Sequence, residues 1–148
     1  MTATGHAVIG TVIAATISIP ALAIPIAICS HVFADLVPHW DAGTHKKEKT
    51  EKEFLFEAII DVVISYIVGF LLVHFLFPQT NILYAFMIIF FAQLLDWLTA
   101  FYNILHWRFP PFTWFYTFSH ETNMKLDKPW GIITQTAVCV ALLVIGKM

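Results

Sequence analysis

Long apolar runs are the feature that most constrains how this chain of 148 residues can fold. Four stretches, at 7–37, 54–77, 82–105 and 131–146, contain no lysine or arginine. A membrane-spanning helix needs about 20 residues to cross a hydrocarbon core of about 30 Å. Only 12% of the residues are charged, against about 25% in soluble domains, and the mean hydropathy is +0.77. The sequence therefore predicts an all-α integral membrane protein with one domain over 1–148.

The lengths of these stretches predict a polytopic bundle of four or five transmembrane or half-spanning helices. The first stretch is too long for one untilted span, and Pro20 and Pro25 interrupt its middle. It forms either one kinked helix or a hairpin of two short helices. We favour the hairpin, which returns His39 to the side of the membrane where His6 lies.

Charge and composition bound the partners and the location. The net charge of −2 gives no reason to expect nucleic acid as a partner. The N-terminus lacks the basic segment of a signal peptide, so we expect no cleavage there. Lysine and arginine concentrate in the loops 38–53 and 106–129, the second of which is also rich in aromatic residues. The positive-inside bias then predicts a multi-pass inner-membrane protein with both loops on the cytoplasmic side.

Several ionisable residues lie within the apolar stretches. A carboxylate at the bilayer centre costs at least about 2.5–3.5 kcal/mol, so such a residue indicates a function. His31 and Asp35 are four residues apart and share one helix face, as do Glu57 and Asp61. Asp96 lies in what we expect to be one continuous helix, on a polar stripe that begins at Gln93 and includes Thr99, Asn103 and His106.

The stretch "SHVFADLVPHWD" (30–41) has the spacing of a metal site. Two side chains four apart on a helix can hold one metal ion, as in helical zinc motifs. Pro38 is expected to end that helix, so that His39 and Asp41 follow on a loop that can fold over the same site. In the hairpin arrangement the candidates that share one membrane face are His6, His31, Asp35, His39, Glu57, Asp61, Asp96 and His120. His74 lies near the opposite end of its helix and is excluded.

These residues resemble two groups of metal-dependent hydrolases. "HVFADLVPHWD" is similar to the H-x-x-x-D and P-H pattern of zinc-dependent phospholipases C and the related single-strand nucleases. Together with "TGHAVIG", it resembles more closely the bacterial and archaeal membrane-bound metal-dependent hydrolases, well over residues 4–41 and loosely over 86–123. The resemblance implies metal-assisted hydrolysis of a phosphoester, for instance of a lipid, with His6, His31, Asp35 and His39 as metal ligands. Asp61, Asp96 and His120 are predicted ligands from the helix geometry alone.

The predicted chemistry follows from the ions. One to three divalent cations, zinc being favoured, would activate a water molecule and hold the phosphoryl oxygens. Asp35 is the expected bridging ligand, and Asp96 or Glu57 the expected general base. The expected partners are membrane lipid, a lipid-like or other phosphoester substrate and a possible second copy of the chain. Two other functions stay open: a small proton- or ion-conducting transporter subunit, and a structural membrane protein whose buried polar groups fix helix packing.

Overall fold

Seven α-helices and no β-strand make up the computed structural model, which describes all of residues 1–148. The helices are α1 (Ala3–Thr16), α2 (Pro20–Asp35), α3 (Glu51–Phe75), α4 (Ile82–Ala92), α5 (Leu94–Asn103), α6 (Phe112–Thr122) and α7 (Trp130–Lys147). A single 3-10 turn, Lys46–Glu48, precedes α3. The all-α class predicted from the sequence is confirmed.

The first apolar stretch is a hairpin, as the sequence predicted. Ile19 has extended backbone angles because the residue before a proline avoids the helical region, and Pro20 then occupies the first turn of α2. The ring of His6, near the start of α1, stacks on the ring of His31, near the end of α2, with centroids 3.9 Å apart. The two helices are therefore antiparallel, and the chain reverses at 17–19.

Helix α1 is the centre of the bundle. Eleven of its fourteen residues are buried, and it packs against α2, α3, α4 and α7. At Gly10 an added Cβ would lie 3.0 Å from the Cα of Ile89 on α4, so the absence of a side chain lets the two backbones approach closely. With 14 residues α1 is about 21 Å long, which is too short to cross a membrane alone.

The third apolar stretch differs from the prediction of one continuous helix, which is wrong. It bends by 52° between α4 and α5, at Gln93. The Gln93 side chain is buried and donates to the carbonyl of Ala3 (3.0 Å) and to the hydroxyl of Ser65 (2.9 Å). These two contacts draw the backbone inward, and they split the predicted polar stripe between two helix axes.

The surface is apolar and much of the interior is polar. Helix α3 exposes large side chains such as Phe56, Ile59 and Phe70, whereas the buried residues include three histidines, Asp35 and Gln93. Helices α3 and α7 are long and apolar enough to cross a membrane, and the bent pair α4–α5 passes the same test as one unit. The chain thus has two or three candidate membrane spans by length and composition.

The segment 106–129, predicted as a loop, contains a helix. Helix α6 packs against α5 through its aromatic side chains, with Tyr102 and Tyr116 stacked at 4.0 Å. The sequence 112–122 did not indicate α6 because its apolar residues are mainly aromatic, a composition that also suits a loop at the membrane interface.

The N-terminus of α1 is capped by a carboxylate from another helix. Asp61, on α3, accepts hydrogen bonds from the amides of Ala3 (2.6 Å) and Thr4 (3.1 Å) and from the Thr4 hydroxyl (2.7 Å). Thr2 adds its own cap by accepting from the Gly5 amide at 3.0 Å. The first turn of a helix leaves its amides without intrahelical partners and carries partial positive charge, so a carboxylate is stabilising there.

We expect Asp61→Ala to destabilise the fold without removing any bound metal. Loss of a capping carboxylate costs about 0.5–2 kcal/mol, because the amides of Ala3 and Thr4 then lack an acceptor. A lower midpoint of thermal unfolding in detergent would show the effect. Glu57→Ala, one turn earlier on α3, is the matched control and should unfold close to wild type. Loss of metal on Asp61→Ala, at unchanged stability, would instead make Asp61 a ligand.

Candidate metal centre

Helix ends bring five predicted ligands to one face of the bundle. His6 comes from the start of α1, and His31 and Asp35 from the end of α2. His39 follows on the loop after α2, and Asp96 lies in the first turn of α5. This face, which we call the site face, also includes the start of α3, the end of α5 and the start of α7.

Three imidazoles surround the Asp35 carboxylate. The Nε2 atoms of His6 and His39 lie 3.3 and 3.8 Å from its Oδ1, and the Nε2 of His31 lies 3.2 Å from its Oδ2. All four side chains are almost completely buried. The amino group of Met1 also contacts Asp35 Oδ1. Asp35 therefore lies at the centre of the histidine cluster, in the position expected of a shared ligand.

Asp96 closes the cluster from the opposite side. Its carboxylate oxygens lie 3.7 Å from the Nε2 of His31 and 4.0 Å from that of His6. His6, His31 and Asp96 each offer a ligand atom, and these atoms lie within 4.8 Å of one another. The Asp96 side chain retains 44% of its accessible surface, against 2% for Asp35. The cluster is thus closed on the Asp35 side and open on the Asp96 side.

Backbone contacts determine which ring nitrogen of two histidines carries the proton. The Nδ1 of His31 lies 2.8 Å from the carbonyl of Ala92, and the Nδ1 of His39 lies 2.7 Å from the carbonyl of Val37. A carbonyl oxygen only accepts, so each Nδ1 must donate. In the neutral imidazoles the lone pairs are then on the Nε2 atoms, which have no hydrogen-bond partner and face carboxylate oxygens.

The spacing of these atoms suits a divalent cation. Zinc binds histidine nitrogen and carboxylate oxygen at about 2.0–2.2 Å, which places neighbouring tetrahedral ligands about 3.3–3.6 Å apart. The nitrogen–oxygen separations in the cluster, 3.2–4.0 Å, span that value. Two acceptors at this distance repel each other unless a proton or a metal cation lies between them. Backbone carbonyls that orient ligating histidines are also a common feature of metal sites.

The loop after α2 is held in place by the segment that follows α6. The amide of His39 donates to the carbonyl of Met124 (3.0 Å), and the carbonyl of His39 accepts from the amide of Leu126 (2.7 Å). Asp41 lies 3.7 Å from His39 Nε2 and accepts from the side chain of Asn123 (2.9 Å). Thus the 123–126 segment, far away in sequence, positions both His39 and Asp41.

The surroundings of Asp41 favour its ionised form. Burial of the carboxyl group opposes ionisation, but a proton shared with His39 Nε2, the Lys125 ammonium and the Asn123 amide outweigh that cost. Together they hold the pKa of Asp41 well below its usual range. Asp41 therefore adds a negative charge beside His39, at the outer edge of the cluster.

Three predicted site residues lie outside the cluster. Asp61 caps α1, and its oxygens accept hydrogen bonds from the amides of Ala3 and Thr4 and from the Thr4 hydroxyl. Glu57, a predicted general base, accepts from the Lys49 ammonium at 2.6 Å. His120 is exposed on α6 and packs edge-on against Tyr116. His74, excluded by the sequence, lies in the last turn of α3 between Phe70 and Phe75, away from the site face.

Gly131 is a site-positioning residue that the sequence did not reveal. A Cβ at this position would lie 2.1 Å from the carbonyl oxygen of Leu126 and 2.6 Å from the amide nitrogen of Trp40. It would also lie 3.0 Å from the carbonyl carbon of His39. The first turn of α7 therefore packs directly on the backbone that carries His39, and only glycine leaves room for it.

We expect Gly131→Ala to displace His39 and to weaken metal binding by the purified protein. The added methyl group meets backbone atoms, which cannot move aside without shifting the loop. Overpacking of this kind costs about 1–3 kcal/mol. Metal content and thermal unfolding in detergent measure the two effects. Gly146→Ala, near the far end of α7, is the overpacking control: its Cβ would lie 2.8 Å from the Val12 side chain, so it should lower stability and keep the metal. Wild-type metal content in Gly131→Ala would contradict the positioning role.

Comparison of the chain with protein-family models, with curated proteins and with solved structures finds no match.

Proposed function

We propose that this chain is a polytopic protein of the inner membrane. Helices α3 and α7 and the bent pair α4–α5 would span the bilayer, and the α1–α2 hairpin would enter it from the site face and return. The apolar side chains exposed on α3 support this proposal, since soluble proteins rarely expose such large patches.

The site face would lie at the cytoplasmic headgroup level. All five tryptophans fall at residue 40 or within 97–130, in segments at or near this face, and tryptophan is enriched at membrane interfaces. Of the eight lysines and arginines, every one except Lys147 lies on the same face. The positive-inside bias then favours a cytoplasmic position for it.

We propose that the protein is a metal-dependent hydrolase that acts on a phosphoester. The observation that carries this proposal is the set of buried imidazole Nε2 atoms, without partners, that face the carboxylates of Asp35 and Asp96. Of the four ligands that the resemblance to membrane-bound metal-dependent hydrolases implies, His6, His31 and His39 each lie within 4.0 Å of the fourth, Asp35. Asp96, predicted from helix geometry, joins His6 and His31, and this arrangement supports a zinc-like ion.

Each residue of the cluster has a role in the proposed reaction. A bound divalent cation lowers the pKa of water and polarises a phosphoryl oxygen. His6 and His31 would hold the ion, with His31 oriented by the Ala92 carbonyl. Asp35, which has a histidine near each oxygen, would be shared between ions if two bind. Asp96 lies at the open side, where it can accept the proton of the attacking water.

An apolar groove supports a substrate with an acyl chain. The groove has a volume of about 580 Å³, lies between α1, α2 and α7, and is lined almost entirely by apolar residues. It follows α2 from Pro25 to Ala34 and Val37, which flank Asp35 in the sequence. An acyl chain in this groove would place its polar end next to the metal cluster.

The alternative function as a transporter subunit has less support. Proton or ion passage needs polar groups that continue to the far side of the bundle. Beyond the cluster the interior is the apolar core, which includes Ile9, Ile13, Val73 and Ile88. Thr11, also buried there, donates to the carbonyl of Ala7 in its own helix.

We expect at least one equivalent of zinc or a similar metal per chain in detergent-purified protein. His31→Ala and Asp35→Asn should each lose it, because each variant removes a ligand from the buried cluster. Elemental analysis measures the metal, and His74→Ala, on the opposite face, is the control that should retain it. Metal-free wild type, or retention of full metal by His31→Ala, would contradict the metal centre and favour a structural role for these polar groups.

We expect hydrolysis of a long-chain phosphodiester lipid in mixed micelles, lost on chelation and restored by added zinc. Asp96→Asn should lower kcat more than it raises KM, because the amide cannot accept the proton of the attacking water. Glu57→Gln should retain wild-type rates, since Glu57 pairs with Lys49 outside the cluster. Metal-loaded protein that hydrolyses no phosphoester would leave the metal centre intact and contradict the hydrolase.

A further inference from the structure

A second cavity on the site face is strongly basic. It has a volume of about 520 Å³ and lies between the start of α3, the end of α5 and α6. Its charged lining residues are Lys46, Lys49, Lys52, Arg108 and one carboxylate, Glu51. Three of the four cations therefore have no lining carboxylate to balance them.

The positive charges of this cavity are poorly neutralised by the protein. Lys49 pairs with Glu57 at 2.6 Å. Lys46, by contrast, donates to the neutral amide of Asn103 at 2.6 Å, and neither Lys52 nor Arg108 has a carboxylate within 4.0 Å. Burial, and to a lesser degree the charge of nearby Lys125, lower the pKa of Lys46, and Glu51 opposes that shift.

Aromatic side chains form part of the wall of the cavity. Tyr102 stacks on Tyr116 at 4.0 Å, and the guanidinium of Arg108 lies over the ring of Tyr102 at 6.0 Å. Both tyrosines line the cavity. Arginine and lysine with hydroxyl groups are the donors that bind phosphate, and cavities of this volume hold small ligands.

We propose that this basic cavity binds a phosphate group, carried either by inorganic phosphate or by the headgroup of an anionic lipid. The site is separate from the metal cluster. Asn103, which lines the cavity, is seven residues after Asp96 on α5, a distance of about 10 Å along the helix. The proposal goes beyond the hydrolase and stands without it, since none of the cluster residues lines this cavity.

The experiment compares three forms of the full chain in uncharged detergent. They are wild type, the double variant Lys52→Gln/Arg108→Gln, and the control Lys47→Gln/Lys147→Gln, which loses the same charge outside the cavity. Isothermal titration calorimetry measures binding of inorganic phosphate. Native mass spectrometry from mixed micelles counts retained phosphatidylglycerol against phosphatidylcholine. Circular dichroism and metal content are recorded for all three forms.

Wild type and control are expected to bind the phosphate-bearing probe, and the cavity variant to bind it about tenfold or more weakly, because two charged donors are lost. Binding of inorganic phosphate identifies a free anion as a ligand, whereas selective retention of phosphatidylglycerol alone identifies a lipid headgroup. Absence of both, or equal weakening in the control variant, would overturn the proposal. Phosphate binding by metal-free protein would support this site while contradicting the metal centre, so the two proposals fail separately.

Discussion

The hydrogen bond from His31 Nδ1 to the carbonyl of Ala92 is the contact on which the candidate metal centre depends. The bend at Gln93 leaves that carbonyl at the end of α4, in the interior of the bundle, where lipid offers no hydrogen-bond donor. An unsatisfied backbone group there would cost several kcal/mol. His31 supplies the donor, and by doing so commits its proton to Nδ1. Its Nε2 then faces Asp35 and Asp96, so one bond orients the ligand and stabilises the bend that brings Asp96 to it.

The half-length of α1 explains why so many polar groups are buried. A helix that begins inside the bundle has its first amides away from bulk water, and these amides have no partner within the helix. Asp61 accepts from two of them and Thr2 from a third, and the amide of Thr2 itself donates to Gln135 of α7 at 3.4 Å. Asp61 comes from α3 and Gln135 from α7, so the hydrogen bonds at the start of one short helix also connect it to two long helices. Burial of polar side chains is thus partly a requirement of the fold. The unpartnered imidazole nitrogens differ because they face carboxylate oxygens, so a proton or a cation is needed between them.

The sequence predicted the parts of the fold that depend on length, proline and helical spacing. The apolar run lengths indicated the helices, and the four-residue spacing placed His31 and Asp35 on one face. Pro20 and Pro25 indicated the reversal, which lies just before Pro20, whereas Pro25 is inside α2 and does not interrupt it. It could not predict the bend at Gln93, because no glycine or proline interrupts 82–105 and the bend depends on contacts with Ala3 and Ser65. Helix α6 was missed because its aromatic residues also suit an interfacial loop.

The roles of residues at the candidate metal centre also depend on contacts between helices that are remote in sequence. Spacing alone placed Asp61, Glu57 and Asp96 in apolar helices on one membrane face, and each was therefore predicted to act at the metal site. Their partners differ: a helix N-terminus for Asp61, an ammonium group for Glu57 and two imidazoles for Asp96. Which partner a carboxylate meets is decided by neighbouring helices that are remote in sequence. Gly131 was equally hidden, because its role depends on the approach of the His39 backbone.

The charges on the site face indicate whether the metal ion or the anionic substrate binds first. Asp35, Asp41 and Asp96 place up to three negative charges around neutral histidines, and the Met1 amino group offsets one of them. The basic cavity lies about 10 Å away along α5. At an effective dielectric constant of about 20, a unit charge at that distance contributes about 1.7 kcal/mol to the interaction with another. The metal-free cluster would therefore repel the phosphate group that the cavity attracts. One divalent cation removes most of that repulsion, so metal binding would precede productive binding of an anionic substrate at the cluster.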